Sequence, residues 1–218
     1  MSLPPFTVIE GNIGAGKTTL ATMLAERFNR RLILEEFDDN PFLSLFYRDS
    51  ERYAFPVELF FMAERHKQLQ TELTRSELFT QGAISDYLFV KTLLFARNSL
   101  TEEEFRLFAR LFRALDVNFP PPDLIVYLHR PVADLRANIA RRGRSFEQDI
   151  KEEYLTSVQS AYFNYFRTLR DVPVVVLDLG GADFSTDEAL YQEIVERITQ
   201  TYTPGMHTIR LGSGTPVL

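Results

Sequence analysis

Apolar residues along the chain fall into two alternating kinds of segment. Five short segments are almost continuously apolar, which is typical of strands in a parallel sheet that is buried on both faces. They are Phe6–Glu10, Arg31–Glu35, Ala83–Asp86, Leu124–Leu128 and Val174–Leu177. Because longer segments with helical spacing separate them, the pattern predicts an α/β fold with a five-stranded parallel sheet flanked by helices.

The longer segments carry apolar residues three or four positions apart, as amphipathic helices do. The predicted helices are Thr18–Asn29, Val57–Leu73, Glu102–Ala114, Val132–Arg141, Glu152–Leu169 and Asp187–Thr201. No internal repeat or low-complexity linker interrupts this pattern, so we expect one domain over residues 1–202. The periodicity is lost after that point, and residues 203–218 are expected to form a flexible tail.

Composition narrows the class of protein. The 218 residues are 45% hydrophobic and 25% charged, as in ordinary globular proteins, and the net charge of −6 argues against a nucleic-acid polymer as partner. The absence of cysteine rules out disulfides and thiol chemistry and suits a reducing compartment. We see no signal peptide, and no apolar run approaches the roughly 20 residues of a membrane helix. We therefore expect a cytoplasmic protein.

A glycine-rich segment follows the first strand directly and precedes the first helix. It reads GNIGAGKT and fits G-x-x-x-x-G-K-[ST], the phosphate-binding loop, although a chance glycine-rich turn is the alternative. Backbone amides of such a loop surround phosphate oxygens, Lys17 reaches the β- and γ-phosphates, and Thr18 holds Mg²⁺. The predicted ATP-binding residues here are Gly11, Asn12, Ile13, Gly14, Ala15, Gly16, Lys17, Thr18 and Thr19. This context predicts a three-layer fold of the P-loop NTPase type.

Acidic residues follow two further strands, at the sheet edge where open α/β sheets bind ligands. A carboxylate after the second strand can accept the proton of an attacking hydroxyl, and strand alternation leaves Glu35 and Glu36 as alternatives. Asp86, after the third strand, can serve Mg²⁺ through water or orient the acceptor. The alternative interpretations are solvated strand ends for the pair and a helix cap for Asp86.

Four segments together carry a resemblance to a known family. They read LEEFDDNPFLSLFYRDSERYAFPVELFFMAERHKQL, ISDYLFVKTLLFA, PDLIVYLHRP and RRGRSFE…EEYL, and with the glycine-rich loop they span about residues 6–170. The chain resembles the deoxynucleoside kinases, and most closely the bacterial deoxyguanosine and deoxyadenosine kinases. The resemblance implies transfer of the ATP γ-phosphate to the 5′-hydroxyl of a deoxynucleoside in nucleotide salvage, with Mg²⁺ as cofactor and a homodimeric assembly.

The resemblance also assigns residues for the hydroxyl groups of the acceptor. The family pattern, counted backward from Asn40-Pro41, favours Glu35 over Glu36 as the catalytic base. Tyr47 and Glu153 match the pair that binds the sugar 3′-hydroxyl, and a phenol and a carboxylate suit an alcohol that both donates and accepts. Glu152 is the rival to Glu153, and a solvated helix start is the alternative for both.

The base-binding segment departs from the family pattern at Glu58. Many relatives have a glutamine there, with an arginine seven residues later that this chain keeps as Arg65. An ionised carboxylate only accepts hydrogen bonds, and guanine offers the adjacent donors N1–H and 2-amino. Glu58 therefore favours deoxyguanosine, with deoxyadenosine next, unless it is only a partner of Arg65 or an exposed helix residue. Phe55, Phe89 and Phe95 are candidates for stacking on the base.

A second departure concerns the positive charge near the phosphates. Many relatives place an arginine after the acidic residue of the third strand, whereas this chain has Asp86-Tyr87, a form that the deoxyguanosine-type enzymes share. Lys91 is a candidate replacement for the missing charge, although a helical lysine is more often solvated.

Three arginines resemble the family's lid over the triphosphate, at about residues 141–150. Arg142 and Arg144 match best and are predicted to be catalytic with Lys17, Glu35 and Asp86, while Arg141 is predicted to contact ATP. Solvated cations at a helix end are the alternative. Two rival functions are a nucleoside monophosphate kinase, whose acceptor phosphate the carboxylates would repel, and a non-catalytic nucleotide-binding protein.

Overall fold

The computed structural model describes residues 2–35, 40–73, 82–116, 119–144, 147–148 and 150–212, without the side chain of Tyr47. Within them, six parallel strands form one sheet in the order β2-β3-β1-β4-β5-β6. The strands are β1 Phe6–Gly11, β2 Arg31–Ile33, β3 Ala83–Ser85, β4 Leu124–His129, β5 Pro173–Asp178 and β6 Gly205–Arg210. The parallel α/β architecture predicted from the sequence is confirmed.

The prediction of five strands is wrong, because β6 adds a sixth strand at one edge of the sheet. It pairs in parallel with β5, from Pro173 opposite Gly205 to Asp178 opposite Arg210. Its side chains alternate between half-buried and exposed, so it lacks the continuous apolar signal of a central strand. It occupies residues expected in a flexible tail, and residues 213–218 of that tail lie outside the described part of the chain.

Helices cover both faces of the sheet. They are α1 Lys17–Phe28, α2 Leu43–Arg48, α3 Ser50–Leu73, α4 Lys91–Ser99, α5 Glu102–Asp116, α6 Val132–Arg142, α7 Glu152–Phe166 and α8 Glu188–Ile198. The sequence pattern missed α2 and α4, which are too short to show a clear period. It also placed the start of α3 at Val57, whereas the helix begins at Ser50 and contains Pro56.

Two buried clusters fill the spaces between the layers. One is mainly aliphatic and joins α1 and α8 to the sheet, through residues such as Leu20 and Ile194. The other is rich in aromatic rings and joins α5 and α7 to the opposite face, through residues such as Phe108 and Tyr162. Adjacent residues of β1 point into different clusters, as the pleat of a strand requires. This gives the three layers expected from the sequence.

The carboxyl ends of β1, β2 and β3 lie side by side, because β3 pairs with both of the other strands. The glycine-rich loop, Glu35 and Asp86 follow these strand ends, so the fold brings the predicted chemistry to one edge of the sheet. Among the described residues, no helix combines the length and apolar character needed to cross a bilayer.

Candidate active site

The glycine-rich loop bends between β1 and α1 with glycines in left-handed conformations. Gly14 has φ 79° and Gly16 has φ 98°, which residues with side chains rarely adopt. A Cβ atom at Gly14 would lie 2.7 Å from the carbonyl oxygen of Leu135, so a side chain there would also clash. Since α1 begins at Lys17, its free backbone N–H groups face the loop and favour an anion.

Lys17 is tied to the loop that precedes it. Its Nζ donates to the backbone oxygen of Asn12 at 2.9 Å, and Asn12 Nδ2 donates to the backbone oxygen of Leu155 at 2.7 Å. Burial and the nearby charge of Lys91 lower the pKa of Lys17 to about 8. The loop is therefore anchored to α7 and carries a desolvated cation.

Glu10, which the sequence analysis did not single out, closes the base of this loop. It is buried and accepts hydrogen bonds from Gly11 N at 3.2 Å, Leu88 N at 2.7 Å and Tyr162 Oη at 2.8 Å. Burial raises the pKa of Glu10 although Lys91 and Lys17 oppose this. Glu10 therefore links three parts of the chain: the phosphate loop, the segment that follows β3, and helix α7. Its position one residue before the first loop glycine is the only local signal for it.

Asp86 connects the phosphate loop to the end of β2. Its Oδ2 accepts from Thr18 Oγ1 at 2.6 Å, and its Oδ1 accepts from the backbone N–H of Glu35 at 2.7 Å. Hydroxyl and carboxylate oxygens are the ligands that Mg²⁺ prefers, so Thr18 and Asp86 suit this ion. No group of three or more His, Cys, Asp or Glu residues able to hold a metal occurs among the described residues.

Glu35 is held by two cations. Its Oε1 accepts from Arg65 Nε at 2.8 Å and Nη2 at 2.6 Å, and its Oε2 pairs with Lys91 Nζ. Burial alone would raise the pKa of Glu35, but Lys91 and Arg65 together outweigh burial and hold it well below the ordinary value. Lys91 is therefore a buried partner of Glu35 and not a solvated helical lysine. Glu36, the alternative base, lies outside the described residues.

These groups line one cavity of about 830 Å³ that extends from the phosphate loop to α3. Its polar wall combines carboxylates with cations, and its apolar wall comes from α2, α3, α4 and α7. The lining residues are Ile13, Gly14, Lys17, Thr18, Glu35, Leu43, Phe46, Val57, Glu58, Phe61, Arg65, Asp86, Lys91, Phe95, Arg142, Arg144, Glu147 and Tyr154.

Glu58 lies in this cavity and is only 3% exposed, so the alternative of an exposed helix residue is wrong. Its Oε2 is buried and has no hydrogen-bond partner among the described residues. Burial raises the pKa of Glu58 to about 7, even though the charge of Arg65 opposes this. A buried carboxyl oxygen without a partner is costly in the free protein and suits a ligand that supplies a donor.

The phenylalanine candidates separate into cavity and core. Phe95 lines the cavity. Phe55 packs edge-on against Phe108 and Phe89 stacks on Phe112 at 4.9 Å between ring centroids, so these two of the three candidates lie in the aromatic core, outside the described cavity lining. The sequence analysis missed other rings of the lining, among them Phe61, which lies under the guanidinium of Arg65 at 4.9 Å.

Arg142 and Arg144 both face the cavity, and Glu147 lies between them. Glu147 is buried and accepts from Arg142 Nε at 3.1 Å and Arg144 Nη1 at 3.4 Å. Gly143 ends α6 in the left-handed conformation and turns the chain toward this cluster. Glu147 was not predicted, although its position three residues after Arg144 was a usable signal.

Glu153 is exposed on the first turn of α7 and lies outside the cavity lining of the described chain. Its rival Glu152 pairs with Arg136 on the surface, whereas the next residue, Tyr154, lines the cavity. The geometry thus brings neither predicted glutamate of α7 to the site. The Tyr47 side chain lies outside what the structure describes.

A second cleft, of about 990 Å³, adjoins the cavity on the other side of the phosphate loop. Arg141 lies there and donates to Asp183 Oδ2 at 3.3 Å, while Phe184 packs against Gly16. The cleft is lined by Gly14, Ala15, Gly16, Lys17, Thr18, Thr19, Arg130, Asn138, Arg141, Arg142, Arg144, Asp183, Phe184 and Ser185. Because Lys17, Arg142 and Arg144 line both spaces, a phosphate donor in the cleft would meet an acceptor in the cavity.

Comparison with known proteins shows which family the chain resembles. A family model described as deoxynucleoside kinase matches residues 7–203. Deoxyguanosine kinase of Bacillus subtilis is 32% identical over 204 residues, covering 92% of this chain and 99% of the relative. Deoxyadenosine/deoxycytidine kinase of the same organism is 30% identical over 197 residues, covering 87% and 89%.

Solved structures show the same fold. The structure of deoxyadenosine kinase from M. mycoides with bound dCTP superposes with a TM-score of 0.73, at 21% identity, and covers 88% of this chain and 97% of that one.

Proposed function

The chain belongs to the deoxynucleoside kinase family and is an ATP-dependent phosphotransferase, and we propose that its acceptor is a purine deoxynucleoside, with deoxyguanosine preferred to deoxyadenosine, in nucleotide salvage. The observation that carries the preference is Glu58, a buried carboxyl group in the cavity with an oxygen that has no described partner. Relatives of both specificities match the chain, so the preference rests on this residue.

The chemistry of the two purines explains why Glu58 separates them. Ionised Glu58 accepts hydrogen bonds from guanine N1–H and the 2-amino group, whereas adenine presents the lone pair of N1 to the carboxylate. Leaving buried polar groups unpaired costs about 1–3 kcal/mol, which corresponds to a roughly ten- to hundredfold preference. Since the pKa of Glu58 is about 7, both of its forms are present near neutrality, and the ionised form selects guanine.

We propose that Glu147 contacts the sugar in place of Glu153. It is buried, lines the acceptor cavity and is oriented by Arg142 and Arg144, whereas Glu153 is exposed. A carboxylate in this position can accept the hydrogen bond of a sugar hydroxyl. That Tyr47 is the second residue to contact the sugar hydroxyl stays a prediction.

The mechanism follows from the positions of the side chains. The loop amides, Lys17 and the lid arginines bind the phosphates of the donor in the adjoining cleft and stabilise charge on the transferring group. Glu35 accepts the proton of the 5′-hydroxyl, and Arg65 orients its carboxylate. Thr18 and Asp86 would hold Mg²⁺, which supplies positive charge at the phosphate oxygens.

We also propose a homodimer in the cytoplasm. Support for the dimer comes from α5, where Leu107 is 50% and Leu111 is 39% exposed on one face of a strongly amphipathic helix. Exposed apolar side chains one helical turn apart are suited to packing against a second copy. Sedimentation of wild type and Leu107→Glu tests this proposal, since the charge should shift a dimer toward monomer.

The test of the substrate proposal is kcat/KM for the four natural deoxynucleosides and dGMP with ATP. We expect deoxyguanosine to exceed deoxyadenosine by about ten- to hundredfold and dGMP to be inactive. Glu58→Gln should shift the preference toward deoxyadenosine or deoxycytidine, because an amide both donates and accepts. Glu64→Gln, on the same helix but outside the described cavity lining, is the control. A wild type that prefers deoxyadenosine or thymidine would contradict the guanine preference. Turnover of dGMP without turnover of any deoxynucleoside would contradict the proposal that the acceptor is a deoxynucleoside.

A further inference from the structure

Lys91 lies where the donor and acceptor halves of the site meet. It is buried on the first turn of α4 and pairs with Glu35 Oε2. It also lines the same cavity as Lys17 and Thr18. The ammonium group of Lys91 therefore lies in the space that connects Glu35 with the phosphate loop.

If Lys91 served only as a partner of the Glu35 carboxylate, it would duplicate the role of Arg65. Arg65 already donates two hydrogen bonds to Glu35 Oε1, and a further hydrogen bond to Thr92 Oγ1 at 2.8 Å helps to fix its position. Lys91 makes one described hydrogen bond, to Glu35, and lies over the ring of Phe95 at 5.5 Å. Because it has a flexible four-carbon stem, Lys91 is the cation of the two that can move.

The pairing seen here also occupies both oxygens of the Glu35 carboxylate, Oε2 with Lys91 and Oε1 with Arg65. Before Oε2 can accept a hydrogen bond from the 5′-hydroxyl, Lys91 has to leave that oxygen. Close to Lys91, the strongest competitor for a cation would be the phosphate chain of a bound nucleotide, which carries several negative charges.

Building on the proposed kinase reaction, we infer that Lys91 is a catalytic cation shared between Glu35 and the phosphates of ATP. Binding of the donor draws the Lys91 ammonium group from Glu35 Oε2 to a phosphate oxygen, and the carboxylate is thereby released to act. The proton of the 5′-hydroxyl then passes to Glu35. The hydroxyl oxygen bonds to the γ-phosphorus, and the bond from that phosphorus to ADP breaks. Donor binding thus switches on the base.

If Glu35 and the phosphates of ATP compete for Lys91, this competition can be measured from ATP affinity alone, without any turnover. The affinity for Mg²⁺·ATP is titrated calorimetrically at pH 7.5, with no acceptor present, for wild type, Lys91→Met, Glu35→Gln and the double variant. Lys91→Met should weaken binding about tenfold, since a charge-assisted contact is lost. Glu35→Gln should tighten binding about three- to tenfold, because Lys91 no longer has a competing carboxylate.

The double variant separates sharing from a general effect of charge. If Lys91 carries the coupling, Glu35→Gln should change ATP affinity by less than about twofold in the Lys91→Met background. Unchanged ATP affinity in Glu35→Gln, or an equal gain in both backgrounds, would overturn the inference. Lys67→Met, which removes an exposed lysine of α3, is the control and should bind ATP as wild type does.

The result does not depend on the proposed acceptor. If Lys91→Met does not fold, which thermal melting would reveal, the ATP affinity of Glu35→Gln by itself still supports or overturns the sharing. A wild type that binds ATP but phosphorylates no deoxynucleoside would refute the proposed function, whereas the ATP titrations bear on the shared cation.

Discussion

The phosphate end of the cleft and its acceptor end are built in different ways. One continuous segment, Gly11–Thr18, supplies the core of the phosphate end as backbone amides and glycine conformations, and the arginines at the end of α6 add positive charge beside it. Side chains from four separate segments supply the acceptor end: Glu35 after β2, Glu58 on α3, Lys91 on α4 and Glu147 beyond α6. The first end is fixed by local chain geometry, and the second exists only once the helices have packed.

The two ends also differ in how they manage charge. The phosphate end concentrates cations for an anion that arrives from solution. The acceptor end holds carboxylates whose environments push their pKa values apart: two cations keep Glu35 ionised, whereas burial raises the pKa of Glu58 to about 7. Carboxylates in one cavity can therefore take different roles, with Glu35 suited to proton transfer and Glu58 to recognition of the base.

The largest effect should come from removing the loop cation, which breaks the phosphate end alone. Lys17→Ala should lower kcat by on the order of 10⁴, because the β- and γ-phosphates lose their fixed partner. The fold should survive, since burial already disfavours the charge of Lys17. Steady-state kinetics and a thermal melt check this prediction. Near-normal turnover would show that the loop is not the phosphate site.

Glu35→Gln breaks the acceptor end while leaving the loop intact. It should lower kcat by about 10²–10⁴ with little change in acceptor KM, the scale of losing a general base. Glu36→Gln is the matched control at the neighbouring position. If Glu36→Gln shows the defect and Glu35→Gln does not, the base has been assigned to the wrong carboxylate.

A smaller effect tests which glutamate completes the acceptor end. Glu147→Gln should lower acceptor kcat/KM by about ten- to hundredfold, since it weakens a sugar contact and releases both lid arginines. Glu153→Gln, which alters an exposed residue, should stay within about twofold of wild type. Kinetics of the two variants side by side decide between them, and the reverse ranking would restore Glu153 to the site.

The smallest effect is the pH dependence of the preference for guanine over adenine, which sharpens the contrast between Glu35 and Glu58. Because the pKa of Glu58 is raised to about 7, its carboxyl group keeps a proton below that pH and can donate to adenine N1. The ratio of kcat/KM for deoxyguanosine to that for deoxyadenosine should therefore fall about five- to tenfold from pH 8 to pH 6. Arg65, Lys91, Ser99 and Glu35 surround this group.

Glu58→Gln has no carboxyl group to titrate at this position, so its ratio should be flat over the same range. An equally steep ratio in that variant would assign the titration to another residue.

The phosphate end and the central strands could be predicted from the sequence because their signals are local. A glycine-rich motif between a strand and a helix specifies its own conformation, and apolar strands such as β4 are recognisable alone. The outer strand β6 escaped because an edge strand buries only half of its side chains. The local sequence pattern therefore predicted the parallel α/β architecture but not the sixth strand at the edge of the sheet.

The acceptor end could be predicted only in part, because packing decides which side chains reach the cavity. Glu58 and Arg65 lie seven residues apart on α3 and were identified through the resemblance to the family, not from a local pattern. Glu147 and Glu153 are both acidic residues near the lid, and the first is buried whereas the second is exposed. Phe61 and Phe89 differ in the same way, since no local pattern shows which ring faces the cavity and which the core.

The hydrogen bond between Tyr162 and Glu10 gives the enzyme a natural optical reporter. The chain has nine tyrosines and no tryptophan, so its near-ultraviolet circular dichroism comes from tyrosine and phenylalanine rings held in fixed surroundings. Tyr162 and Tyr127 are buried together with ring centroids 5.2 Å apart, and Tyr162 contacts the carboxylate at the base of the phosphate loop. A change in that loop when a nucleotide binds should therefore be visible in the tyrosine band of the unlabelled protein.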